Sequence, residues 1–212
     1  MALVGLQRLV AELALALPEA EHTCLVGGGA MIEHGLVDRP TEDLDLFSTE
    51  RSEVARLHSA LADALIARGF AVTTDRDLET FVRLTVRHER DSVQVDIALD
   101  ARIRPPIRLD IGPVAALDEL GADKVLALFG RAEPRDLVDV DALLGHLDLP
   151  TLMRLAREKD PGFLPSVLAR AVGAAAGAPD QRFESLGISS ASLLALRERA
   201  RELAIEVADT EE

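Results

Sequence analysis

At 212 residues, 48% of them hydrophobic and 28% charged, the chain has the make-up of a folded protein with a true core, as one large domain or two small ones. A formal net charge of −14 argues against a general nucleic-acid coat, although it leaves room for a local basic groove. The lone Cys24 excludes an internal disulfide and fits a reducing cytoplasm, and no apolar run approaches the length of a membrane span.

The opening LVGLQRLVAELALAL looks like a signal peptide, but Arg8 and Glu12 interrupt it. Leu3, Leu6, Val10, Leu13 and Leu17 recur at helical spacing, so the segment is expected to be an amphipathic helix of a cytoplasmic protein. HTCLV has strand composition, with Cys24 as a small buried hydrophobe; Gly27 to Gly29 break the strand before a short helical AMIEHGL. EDLDLF follows as a strand. Residues 52–68 predict a helix with Val54, Leu57, Leu61 and Leu65 on one side and Gly69 as its stop. FVRLTV (81–86) and SVQVDIAL (92–99) alternate as strands around a polar turn at His88 to Asp91, and Pro105 and Pro106 end the region. From about residue 113 successive helices are expected in ADKVLALFG, RDLVDVDALLGHL, TLMRLAREKD, FLPSVLARAVGAAAG and SASLLALRERARELAIEV, with 177–187 as a loop between the last two. No internal repeat is visible. The fold class expected is α+β, with an α/β core over 1–112 and a helical region over 113–212.

The chemistry concentrates in PTEDLDLF. In a strand, Thr41, Asp43 and Asp45 share one face, and Glu42, Leu44 and Leu46 the other. Ionised Asp is unfavourable inside a strand, and two on one face repel each other. Asp96 would share a strand face with Gln94 and Ala98. Were the two strands neighbours, three carboxylates would converge beside the glycine turn, an arrangement that a cation between them would relieve. Hard oxygen ligands without His or Cys favour Mg²⁺ or Mn²⁺ over zinc. The plainer alternatives are an exposed edge strand for DLD, a strand end capped by Asp96, and a tight turn at the glycines. The Walker lysine and the GxGxxG spacing are both absent. Two basic clusters, Arg83, Arg87, His88 and Arg90, and Arg102, Arg104 and Arg108, read equally as a local groove or as solvated strand ends. Without Trp or Tyr, stacking on a base would fall to Phe, His or Arg.

A Gly-Gly turn, then Asp-x-Asp, then a later Asp resembles the signature of the nucleotidyltransferase superfamily related to DNA polymerase β. More narrowly, LVGGGAMIEHGLVDRPTEDLDLF resembles the opening motif of the AbiEii/MenT nucleotidyltransferase toxins. Lys124 in ADKVLALFGR and Arg135, Asp136 and Asp139 in RAEPRDLVDV match that family's later motifs, so the resemblance spans roughly residues 22 to 146. It implies a polymerase β-like mixed-sheet domain followed by a helical domain that supplies Lys124 and the RDLVD motif. Asp43, Asp45 and Asp96 would then hold Mg²⁺ or Mn²⁺, with Asp96 also helping to deprotonate the attacking hydroxyl. Gly27, Gly28, Thr41, Lys124, Arg131 and Arg135 would bind the nucleotide, and Asp136 or Asp139 would position Lys124 or an arginine. The activity implied is transfer of NMP from an NTP, with release of pyrophosphate, to an RNA acceptor at the tRNA 3′ end. That makes the protein a translation-blocking toxin paired with an antitoxin, and Thr41 a site for silencing by phosphorylation. Two rivals stand beside it: transfer to a small hydroxyl compound such as an antibiotic, and a non-catalytic module with a degenerate site. For Lys124 the plain reading is a solvated surface lysine, and for RDLVDV an Arg135–Asp139 pair along one helix face.

Overall fold

A computed structural model describes residues 2–41 and 43–210. Glu42, expected on the face of Leu44 and Leu46, lies outside the described residues. The chain divides into two units, one formed by the N-terminal segment through Gly35 with Thr41–Ala116, the other by Leu36–Pro40 with Leu117–Glu212.

The first unit is built on a mixed seven-stranded sheet. Its strands are β1 (Thr23–Val26), β2 (Asp43–Ser48), β3 (Ala71–Leu78), β4 (Phe81–His88), β5 (Asp91–Leu99), β6 (Ile107–Leu109) and β7 (Gly112–Val114), in the order β3-β4-β5-β2-β1-β7-β6. Strand β2 runs antiparallel to β1 and parallel to β5. Period-two alternation puts Leu44, Leu46, Val95, Ile97, Val82 and Leu84 on one buried face. The helices α1 (Gly5–Leu15) and α3 (Arg51–Ile66) pack against the sheet. In α3 the buried stripe is Val54, Leu57, Leu61 and Leu65, as its spacing predicts, and Gly69 follows at φ +85°. In α1 the buried residues are Val10, Ala11, Ala14 and Leu15; of the expected row Leu3 and Val10 are buried, and Leu6, Leu13 and Leu17 are half-buried. The glycines do not precede a helix but begin one, α2 (Gly27–Glu33). Strand β3 is an addition to the predicted set: it is polar on both faces and exposed, and it bulges at Asp75, where Thr85 donates to the Asp75 carboxylate.

The start of α3 is fastened to β1 and β2 by one buried carboxylate. Glu53, fully buried, accepts from the backbone N–H of His22 and from the hydroxyls of Thr23 and Ser48, and His22 Nδ1 lies 3.0 Å from its Oε2. Burial pushes the Glu53 carboxyl up, but the bonds from Thr23, His22 and Ser48 outweigh it and hold it below its ordinary 4.5. Because the folded value is depressed, its contribution is complete above the unfolded value and fades as pH falls through the folded one. Glu53→Gln should cost about 1–3 kcal/mol in urea unfolding at neutral pH, with the gap to wild type closing below pH 4.5. Equal unfolding midpoints at neutral pH would show that the carboxylate does not fasten the helix.

The second unit is helical: α4 (Leu117–Arg131), α5 (Pro134–Leu143), α6 (Leu149–Lys159), α7 (Pro165–Ala176), α8 (Asp180–Glu184) and α9 (Ser190–Asp209). Proline opens α5 and α7, where its missing N–H costs nothing, while Asp148 and Ser189 cap α6 and α9 through the N–H groups of Thr151 and Ser192. Gly121 lets α4 lie close to α6, since a Cβ there would meet Leu152 at 2.7 Å. Lys159 ties the same pair, reaching Glu119 at 2.6 Å and also bonding Asp123. The segment expected as a loop over 177–187 contains the short helix α8, anchored by the fully buried Phe183. No helix among the described residues is long and apolar enough to cross a membrane.

Candidate active site

In the first unit β2 carries Asp43 and Asp45 on the face opposite Leu44 and Leu46. Strand β5, its parallel neighbour, sets Asp96 level with Asp45 and Gln94 level with Asp43. All three carboxylates therefore stand on one face of two adjacent strands. Gly27 closes in from the end of β1 at φ +62°, and a Cβ built there would lie 1.9 Å from Asp45 Oδ2. Only glycine tolerates both that conformation and that proximity; any side chain at this position must push Asp45 aside. The Thr41 hydroxyl donates to Asp43 Oδ1 at 3.2 Å.

On the next strand, β4, Arg83 is the register partner of Asp96. Its Nε donates to Asp96 Oδ1 at 2.7 Å and its Nη2 to Oδ2 at 2.6 Å. The Asp96 bond raises the Arg83 pKa above its ordinary value; burial works against it, and the charges of Asp96, Asp43 and Asp45 add to the rise. Among the described residues no three His, Cys, Asp or Glu side chains are gathered closely enough to hold a metal ion. The chemistry of the donor set still fits a hard divalent cation, since it offers carboxylate oxygens in one row and no softer ligand. Of the remaining basic residues, Arg87, His88 and Arg90 are exposed at the β4–β5 turn, whereas Arg102 donates to the Phe47 carbonyl and Arg104 to that of Ile103.

The second unit contains a charged cluster of its own. Asp139, fully buried on α5, accepts from Arg39 Nε at 2.8 Å and Nη2 at 2.7 Å, and lies 2.8 Å from Lys124 Nζ of α4. Burial pushes the Asp139 carboxyl up, but Lys124 and Arg39 overcome it and hold the group below its ordinary 3.8. Asp136, also fully buried, takes both donors of Arg131, at 2.7 and 2.6 Å. Lys124 is 6% exposed, so it is not a solvated surface lysine. Arg135 is exposed, and Asp139 pairs with Arg39 and Lys124.

A family model described as the nucleotidyl transferase AbiEii toxin of type IV toxin–antitoxin systems matches residues 8–205. The chain belongs to the AbiEii family. It is accordingly a nucleotidyltransferase of the toxin–antitoxin kind, with a nucleotide substrate and an antitoxin counterpart. The fold is similar to that of MenT4, a nucleotidyltransferase toxin from Mycobacterium tuberculosis H37Rv, at 23% identity and TM-score 0.62 over 97% of this chain and 90% of that one. JHP933 from Helicobacter pylori is similar at 18% identity and TM-score 0.56, over 99% of this chain and 97% of that one. No curated protein matches the sequence significantly.

Two residues of this AbiEii protein escaped the sequence reading. Arg39 carried no signal beyond its place before the DLD strand, and its partner Asp139 is 100 residues away. Arg83 was visible only as one of a basic cluster; its pairing with Asp96 follows from strand register. The FVRLTV/SVQVDIAL hairpin could have shown it, because counting back from the turn sets Arg83 opposite Asp96.

Proposed function

We propose that this AbiEii toxin transfers a nucleoside monophosphate from an NTP to an RNA acceptor, the 3′ end of tRNA, and thereby blocks translation. The observation that carries this reading is the row of Asp43, Asp45 and Asp96 with Gly27 pressed against Asp45. Asp43 and Asp45 would hold Mg²⁺ or Mn²⁺, with Asp96 as the further carboxylate of the row. Such an ion neutralises triphosphate charge and makes an attacking hydroxyl more acidic. In the reaction the acceptor oxygen forms a bond to the α-phosphorus, the bond from that phosphorus to the bridging oxygen breaks, and pyrophosphate leaves. The hydroxyl proton passes to a carboxylate of the row, Asp96 in this reading. Gly27 and Gly28 face the phosphates, Lys124 supplies positive charge to the triphosphate, and Arg131 and Arg135 bind the nucleotide. The rest of the rate comes from alignment.

The net charge of −14 favours a second reading, in which the acceptor is a small hydroxyl compound and not a polyanion. One experiment separates them. Purified protein is incubated with Mg²⁺, total RNA and each labelled NTP in turn, with Lys124→Ala alongside. Label in tRNA, lost or raised to a higher NTP requirement in the variant, supports the proposal. Unlabelled RNA, with label transferred instead to a hydroxyl compound such as an aminoglycoside, would replace it with the second reading.

Thr41 is proposed as a control point. Its hydroxyl already bonds the Asp43 carboxylate, and a phosphate there would add roughly −1.5 to −2 charge beside the row. Stoichiometrically phosphorylated protein is expected to bind NTP more weakly and to transfer more slowly than its dephosphorylated twin. Equal binding and equal single-turnover rates would remove Thr41 as a switch.

A further inference from the structure

We propose that Arg83 is a built-in counter-cation that competes with the metal ion for Asp96. This rests on the metal-site reading above and adds a residue to it. Arg83 on β4, Asp96 on β5 and Asp45 on β2 form one cross-strand line, each the register partner of the next. Three carboxylates on one face of two adjacent strands repel one another unless a positive charge joins them. In the protein as it stands that charge is the guanidinium, which occupies both oxygens of Asp96 in a two-bond clasp.

A divalent ion held by Asp43 and Asp45 gains Asp96 as a third ligand only when one or both of these bonds are given up. The exchange is open to Arg83 because its side chain is 39% exposed, against 8% for that of Asp96. Its guanidinium also lies 5.7 Å from the ring centroid of Phe81 on the same strand, a ring that Arg76 approaches at 5.5 Å. Arg83 thus stabilises the metal-free sheet and sets the strength of metal binding in opposite directions.

The test is Mn²⁺ binding, followed by the loss of the free-ion paramagnetic signal, in wild type, Arg83→Gln, Arg83→Lys, Asp45→Asn and Asp96→Asn, with thermal melts of each. Arg83→Gln should bind Mn²⁺ about tenfold more tightly than wild type, the scale of one charge-assisted clasp, and should melt lower without metal. Arg83→Lys keeps the charge but not the two-bond geometry and should fall between them. Placing Arg83→Gln on Asp96→Asn should tighten binding much less, because the contested ligand is gone. If wild type binds Mn²⁺ and Asp45→Asn does not, yet Arg83→Gln matches wild type or binds more weakly, the competition is refuted while the metal site stands. If neither wild type nor Arg83→Gln binds Mn²⁺, the metal-site reading fails and takes this proposal with it.

Discussion

Replacing Asp45 with Asn is expected to lower nucleotide transfer by at least about a thousandfold, with little loss of folded stability. The amide keeps the size of the carboxylate but carries no charge to neutralise or orient anything bound above the strand. It also keeps the close contact with Gly27, so the glycine turn stays where it is. Stability should change little, because the charge removed repels its neighbours in the row while attracting Arg83. Single-turnover transfer to the acceptor identified in the labelling experiment measures the first part, and a thermal melt the second. Transfer within tenfold of wild type by a folded Asp45→Asn protein would mean that the carboxylate row is not the reaction centre.

The largest effect on stability is expected at Asp139. Changing it to Asn leaves Arg39 and Lys124, 7% and 6% exposed, beside a neutral amide, and stranding buried charge in this way costs about 3–5 kcal/mol. The sign of the pH dependence follows from the depressed carboxyl. Its contribution is present in full above the ordinary 3.8 and is lost as pH falls through the lower folded value. Urea unfolding should therefore show wild type well above the variant at neutral pH, with the difference shrinking only in strong acid. A variant as stable as wild type at neutral pH would show that the cluster does not hold the helical unit together. The result also bears on Lys124, because a lysine released from Asp139 loses the fixed position on which its proposed action on the triphosphate depends.

What the sequence determined by itself was whatever local spacing encodes. The stripe of α3, the alternation of β4 and β5, and the run of helices after residue 113 all follow from the periods of their apolar residues, and motif order alone pointed to the nucleotidyltransferase family. Two elements carry only weak local signals. Strand β3 is polar because it lies at the sheet edge, and α8 has only five residues around a single buried Phe183. That Ala11, Ala14 and Leu15 are buried in α1 while Leu6 and Leu13 are only half-buried was not legible from the leucine spacing. Tertiary structure alone decided the partners of the charges. Two Asp residues on one strand posed a question of repulsion, and a metal ion was the answer that spacing suggested. The folded chain contains an answer of its own in Arg83, brought level with Asp96 by strand register, just as Arg39 is brought to Asp139 from the far side of 100 residues. An ion pair depends on the position of both groups in space and, for Arg39 and Asp139, also on their shared withdrawal from water. Neither quantity exists until the strands and helices have packed.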